Sequence, residues 1–576
     1  MAPLWEKSRG LVVQTNQQAA IADETLPRGA LGRAGASSPW RWLRALGGVL
    51  IAPYRALPPA PSGRWPRIAL TLVTLLVIAF VIYFTAYTWS FFDAFLSNAE
   101  DMGIMDQALW NTLHGAVLHQ TICNSISDTN CLGDVSRFAI HFEPIMLPLS
   151  LLYLLAPTPK ALMLVQAVIV ACGAYPVFWI ACRRLGSPLA GVIFAVGYLL
   201  YPALQSAVMF DFHAVTLSMA FLLFAIYFML TRNNIGLVIA CVLALSTKEE
   251  IPLDILMLGL VILVFQRRRK MGLGLIVLSL AWLAMALVVM RHFSPVGHSP
   301  TAARFGYLGN DPLQAALFIA THPIQLLRDQ ILANGGLEYL NRMLGAFSFL
   351  GLASPLTLVL CLPALLINLL SSSQSMHIGA HQYSAEVVPF MVFSAISGVA
   401  ILWRVFTLLR PRGARALSRL VLLAEHVGAL SRARMPAFSP ARAFLALLLV
   451  VTLGGIVVQQ RLVNMANLPQ VSFWAWPTAT AHSELAGSVV SLIPADASVC
   501  AQNTLVPHLS QRRYIYQYPY NAEQADYVIL DTKGYIYPFA SWDDYDQSVQ
   551  TLLASGQFTT IFNLDGYLVL QRASGR

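Results

Sequence analysis

Carboxylates, imidazoles and a lysine stand at the ends of long apolar runs in this 576-residue chain. Asp101 and Asp106 follow the first such run, and His141 and Glu143 close the polar segment after it. Asp211-Phe212-His213 and Lys248-Glu249-Glu250 mark later run ends, as does the loop His377 to Glu386 with His381 and Tyr383. Such a set could move a proton on and off a reacting group and hold an anionic one. Ionisable groups near membrane depth need partners or water, so their gathering on one face implies a polar cavity there.

Each of these residues also has a plainer reading, because span ends are where charge reaches water cheaply. Asp101 equally reads as a helix N-cap before Ile104, and His213 as an interfacial ring. Lys248 with Glu249 or Glu250 reads as an ion pair closing a bundle. His377 and His381 have an H-x-x-x-H spacing that would align two rings on one helical face, but no acid motif follows and the metal stays unassigned. Cys123 and Cys131 sit in an acidic loop where a disulfide is the preferred reading over two free thiols.

The elements that must position these groups follow from composition. Hydrophobic residues make up 57% of the chain and charged ones 11%, about half the charged share of a soluble domain, which excludes a cytosolic globule. The net charge of +9 comes from Arg-rich stretches that alternate with apolar runs, the pattern of a multi-pass membrane protein and not of a nucleic-acid binder. Residues 1–67 carry nine basic and three acidic residues and read as a disordered basic cytoplasmic arm ahead of an uncleaved anchor.

Residues 68–460 read as the membrane module, with outer loops 91–159 and 292–342. Apolar runs over 68–89, 160–182, 188–204, 214–230, 235–246, 251–265, 271–290, 387–409 and 444–458 each predict a span. The run 343–370 contains Pro355 and Pro363 and counts as two short spans or a hairpin, giving about eleven spans. Pro144 to Ala156 is too short and reads as an interfacial or re-entrant helix. The segment 91–143 holds seven acids against Arg137 alone, which places it on the outer side. Residues 461–576 read as a small extracytoplasmic α/β domain, with strand-like runs at 514–518, 527–530 and 567–570. There is no P-loop, H-E-x-x-H, G-x-S-x-G or dinucleotide fingerprint, so no cofactor is named by a motif.

The ordered strings Asp101-Met-Gly-Ile-Met-Asp106-Gln107-Ala-Leu-Trp110, His141-Phe-Glu-Pro144, Phe210-Asp-Phe-His213 and Lys248-Glu-Glu250 resemble bacterial predicted membrane proteins grouped as domain of unknown function 2079. His381-Gln-Tyr383, Val499-Cys-Ala-Gln-Asn503 and Pro507-His-Leu509 extend the resemblance to the tail. The layout is similar to integral-membrane glycosyltransferases of the type C fold (GT-C), although a consecutive Asp-Glu pair is absent and the order is Glu100-Asp101. That resemblance implies a transferase of the bacterial inner or plasma membrane, using a polyprenyl-phosphate sugar and a cell-envelope glycan, lipid or protein acceptor. It implies Asp101 as base, with Asp106 as alternative base or metal ligand, and leaves a divalent cation open. Lys248, or Arg304, Arg328 or Arg342 of the outer loop, would meet the phosphate. Glu249, His141, Asp211, His213, His381 and Tyr383 would line the cavity. The competing readings are a transporter or lipid flippase, and an assembly scaffold.

Overall fold

The computed structural model describes residues 47–122, 133–309, 312–425, 439–465 and 476–573. Cys123 and Cys131, and residues 1–46 of the expected arm, lie outside the described residues. Residues 47–50, at the end of a first unit that closes at Leu50, are helical, and Ile51–Arg576 form a second unit.

Arg64–Asp93 is one helix of 30 residues, about 45 Å at 1.5 Å per residue and long enough to cross a bilayer. Val73, Val77, Phe80 and Phe84 recur at helical spacing on its buried face, while Leu72, Leu75, Ile78 and Ile82 are exposed. A helix that is apolar on both its buried and its exposed faces is a span facing lipid, since water would demand polar residues outside. Among the described residues five more helices are long and apolar enough to cross: Pro159–Leu185, Ala214–Thr231, Arg269–Phe293, His381–Leu408 and Pro440–Arg461. Pro188–Leu199 and Pro202–Met209 make a seventh span if a 45° bend is allowed. Pro202 causes that bend, because it has no N–H to give and holds Tyr201 extended at ψ 121°. Asn234–Leu245, Ile251–Val264 and Pro355–Leu369 are apolar but shorter.

The expected pair of crossings over 343–370 takes the form of a hairpin. Its first limb is not a regular helix: Leu350–Ala353 is a 3-10 turn, and Phe349 is left-handed at φ 59°. At one end the Met343 carbonyl accepts from the Tyr201 hydroxyl, and Asn368 donates to the Tyr383 carbonyl at 2.8 Å. At the other end the Leu356 carbonyl accepts from Tyr54, whose ring stacks on Phe265 at 5.0 Å. The chain therefore dips from the level of Tyr383 to that of Tyr54 and returns. The buried stretch Val387–Ile401 forms the bundle axis against which the first limb lies. Irregular backbone at membrane depth is tolerated only when protein encloses it in this way.

The segment 144–156 is short, as expected: a helix over Met146–Ser150 and a 3-10 turn over Leu151–Leu154, with Leu151, Leu154 and Leu155 exposed. A two-residue ladder, β1 (His119–Gln120) with β2 (Val135–Ser136), follows the first span.

The C-terminal sheet contains β3 (Val499–Ala501), β4 (Ile515–Gln517), β5 (Tyr527–Asp531), β6 (Phe558–Leu564) and β7 (Tyr567–Arg572) in the order β4-β3-β5-β7-β6. The first three pair parallel, and β7 runs antiparallel to both of its neighbours. Asp565 and Gly566 at φ 51° and 92° make the two-residue turn between β6 and β7. Side chains alternate across the sheet. Val499, Ala501, Ile515, Ile529 and Val569 pack on Ala99, Ile104 and Ile122 of the first loop. Cys500, Tyr516, Val528, Leu530, Leu568 and Leu570 pack under the helix Trp542–Ala554. The sheet thus shares a core with the segment that carries Asp101.

Close packing of the hairpin yields a test. A Cβ at Gly398 would strike the Leu350 carbonyl, whereas Gly454 has open space around it. Gly398→Ala should cost about 1–3 kcal/mol and lower the melting midpoint of the purified protein, and Gly454→Ala should not. Equal midpoints for the two variants would contradict the hairpin's docking.

Candidate functional site

The cavity holds about 430 Å³, within the usual range for small-ligand sites, and lies at the Tyr383 end of the bundle. The turn Ala99–Gly103 brings Asp101 into its wall. Asp101 Oδ1 lies 3.0 Å from His213 Nε2. The His213 N–H donates to Gln166 Oε1 at 3.0 Å, and the ring lies parallel to Phe210 at 5.4 Å. His213 Nδ1 faces the Asp211 carbonyl at 3.2 Å, and a carbonyl can only accept, so Nδ1 is the donor there. The other nitrogen, Nε2, is the one that faces Asp101.

Asp211 stands behind this pair and does not line the cavity. It accepts from the Asn98 N–H at 2.9 Å, and burial, aided by the Asp101 charge, pushes its carboxyl up to about 7. His141, Lys248, Arg304, His381 and Tyr383 do reach the cavity wall. Glu249 does not. It holds His141 Nδ1 at 2.7 Å and accepts the Phe142 N–H at 3.0 Å. Burial alone would raise Glu249, but His141 and Lys248 outweigh it and hold the carboxyl well below its usual range.

Lys248 is not an isolated cation. Its Nζ sits 2.6 Å from Glu250 and 3.6 Å from Glu386. Burial disfavours its charge, but Glu250, Glu386 and Glu249 together push the ammonium above its ordinary value and keep it charged. Arg137 is paired in the same manner, with Nε 3.0 Å from Glu143. Arg304 lies over the Tyr383 ring at 5.7 Å and reaches the Met376 sulfur at 3.8 Å.

Besides Asp211 and Glu249, three more of the expected residues, Asp106, Arg328 and Arg342, do not line the cavity. Asp106, the alternative base, is fully buried away from the cavity and accepts from Tyr153 at 2.6 Å, Ser510 at 2.5 Å and Gln511 at 3.1 Å. Arg342 pairs with Glu338 and donates to the Ile378 carbonyl, bracing the loop behind the wall; Arg328, on the same outer loop, is exposed and pairs with its neighbour Asp329. His377 and His381 do not share a helical face, because Gly379 at φ 67° and His381 at φ 57° break the backbone between two 3-10 turns. Among the described residues no three His, Cys, Asp or Glu side chains converge as metal ligands. The cation left open by the sequence therefore has no such site in them.

Several lining groups were not assigned to the cavity from the sequence, although Asn503 stands in one of the family strings. Tyr535, Tyr537 and Asn503 reach the cavity from the C-terminal sheet region, and Tyr537 donates to Glu100 at 3.1 Å. Nothing in local spacing links them to Asp101.

A family described as predicted membrane protein, DUF2079, matches residues 92–569. The chain belongs to this family. The matched range includes every residue that lines the cavity. No curated protein matches the chain. Among solved structures, a crystal structure of ArnT from Cupriavidus metallidurans bound to undecaprenyl phosphate is similar at 14% identity, covering 86% of this chain and 97% of that one, with a TM-score of 0.45.

Two predictions follow the charge pattern of this DUF2079 protein. Lys248→Met would strand Glu250 and Glu386 beside each other, costing about 3–5 kcal/mol, read as a lower melting midpoint than wild type or Lys248→Arg. Burial pushes the Asp106 carboxyl from 3.8 up to about 6, against the pull of Ser510, Tyr153 and Gln511. The folded chain holds this proton more tightly than the unfolded one, so its contribution is full below the unfolded value and lost as pH rises through about 6. Melting curves should show wild type losing ground to Asp106→Asn between about pH 4 and 6. Parallel curves would refute the assignment.

Proposed function

We propose that this protein is a bacterial inner-membrane or plasma-membrane glycosyltransferase of the GT-C kind, taking a sugar from a polyprenyl-phosphate donor outside the cytoplasm. The reading puts the N-terminus in the cytoplasm and the cavity and C-terminal domain on the outer side. The observation that carries it is the Asp101–His213 pair, 3.0 Å apart, in the wall of a polar cavity at one end of an apolar bundle. A lipid-linked donor needs this combination: apolar flanks for its chain and polar groups at its head.

In this reading the acceptor hydroxyl loses its proton to Asp101 while its oxygen forms a bond to the sugar's anomeric carbon. The bond from that carbon to the phosphate oxygen breaks, and the electron pair leaves with the polyprenyl phosphate. Arg304 meets the charge on the leaving group. Lys248, held by Glu250 and Glu386, fixes the wall beside it. His213 orients the Asp101 carboxylate.

A transporter would use the same acids for ions or a lipid head group, but needs access from both ends. At the opposite end the Arg184 guanidinium is buried and donates to the carbonyls of Ala52, Pro53 and Arg55, tying the chain ahead of the first span to the bundle.

Incubation of purified protein with a panel of polyprenyl-phosphate sugars tests the proposal through release of polyprenyl phosphate. Asp101→Asn should lower turnover by about 10²–10⁴-fold with an unchanged melting midpoint. Turnover at the wild-type rate in that variant would remove Asp101 from the chemistry.

A further inference from the structure

The C-terminal domain does more than cover the cavity. We infer that it supplies a glycan-binding acceptor subsite, made by Asn503, Tyr535 and Tyr537, that takes a polyhydroxylated ring. The word acceptor rests on the transfer reading above; the glycan site itself does not.

Asn503 follows β3, lines the cavity and is 1% exposed, yet its Oδ1 has no partner among the described residues. Buried polar atoms are nearly always paired, so an unpaired oxygen in a cavity wall is set to accept from a ligand. Gln382 Oε1 and His381 Nδ1, also in the cavity wall, are unpaired as well. Asp101 beside them carries further acceptor oxygens. A wall rich in acceptors is matched by a ligand rich in O–H donors.

The two tyrosines give that ligand a surface. Tyr535 and Tyr537 lie on the loop between β5 and the helix Trp542–Ala554, with rings 6.1 Å apart and 9° from parallel. Tyr535 remains 56% exposed and lines the cavity, which leaves ring surface for contact with a sugar. The loop is held in place by the neighbour of Asn503. Gln502 donates to the Tyr535 carbonyl at 2.8 Å and accepts from Tyr545 at 2.6 Å and from the Asp531 N–H at 3.2 Å. Polar and aromatic parts are therefore preorganised as one unit.

Position assigns the subsite to the acceptor side. Tyr537 bonds Glu100, the residue before Asp101, so a ring bound here presents hydroxyls to the base. Arg304, the phosphate partner, belongs with Tyr383 on another wall element.

The test uses full-length protein in nanodiscs and soluble gluco-, manno-, galacto- and arabino-oligosaccharides as probes, with a peptide library for contrast. At least one oligosaccharide class should bind, and Tyr535→Ala and Asn503→Ala should each weaken it tenfold or more. Tyr514→Ala, an exposed tyrosine elsewhere on the domain, should leave binding unchanged. Tyr535 is largely exposed and Asn503 is tested separately, so a folding failure in one variant leaves the other to decide. Binding of peptides alone, of no oligosaccharide, or of oligosaccharides with equal affinity in all variants would overturn the inference. Variant-sensitive glycan binding without transfer from any lipid-linked donor would sink the enzyme and keep the site. Transfer whose acceptor KM ignores both variants would do the reverse.

Discussion

Charge inside an apolar bundle persists only where an opposite charge or oriented backbone dipoles answer it, and this requirement shapes the cavity of this DUF2079 protein. Arg137 has Glu143, His141 has Glu249, Lys248 has Glu250 and Glu386, and Asp101 has His213. Three of these pairings join segments more than 100 residues apart: 101 with 213, 141 with 249, and 248 with 386. The polar groups that make the site chemically capable are therefore the same ones that pin the first loop, the 248–250 turn and the axial helix to one another. A site residue here cannot be removed without also removing a cross-link, and function and stability must be separated by substitutions that keep shape.

Much of this was legible in the sequence because the relevant signals are local. Asp101, His141, His213 and Lys248 stood out as polar groups ending apolar runs, and all four reach the cavity. The strands at 515–517, 527–531 and 567–572 were visible from β-rich runs, while the three-residue β3 and the largely exposed β6 were too weakly patterned to find. Pro355 and Pro363 announced the hairpin, since two prolines in one apolar run do not suit a single straight helix.

What failed was direction. Asp101 and Asp106 are five residues apart, and at about 100° per residue side chains so spaced point to roughly opposite sides of a helix. One faces the cavity and the other must face away, but the sequence does not say which is which. The same holds at 248–250, where consecutive residues split between the cavity and the His141 brace. Tyr535 and Tyr537 were beyond reach for a different reason: more than 400 residues separate them from Asp101, and no periodicity spans that distance.

The outward-facing role of Asp106 explains why the C-terminal sheet sits where it does. Its carboxylate collects donors from Tyr153 and from Ser510 and Gln511 of the C-terminal domain. One residue on, Gln107 donates to the carbonyls of Arg512 and Arg513 and accepts the Thr121 N–H at 2.8 Å. Thr121 in turn donates to the Ile515 carbonyl at 2.7 Å at the start of β4. The helix after Asp101 is thus bound to the sheet on one side, while Asp101 is bound to the bundle through His213 on the other. Contacts to the sheet on one side and to the bundle on the other therefore fix the position of the Asp101 carboxylate. The geometry at Asp101 is decided by both the sheet and the bundle, and the sheet becomes part of the cavity's construction.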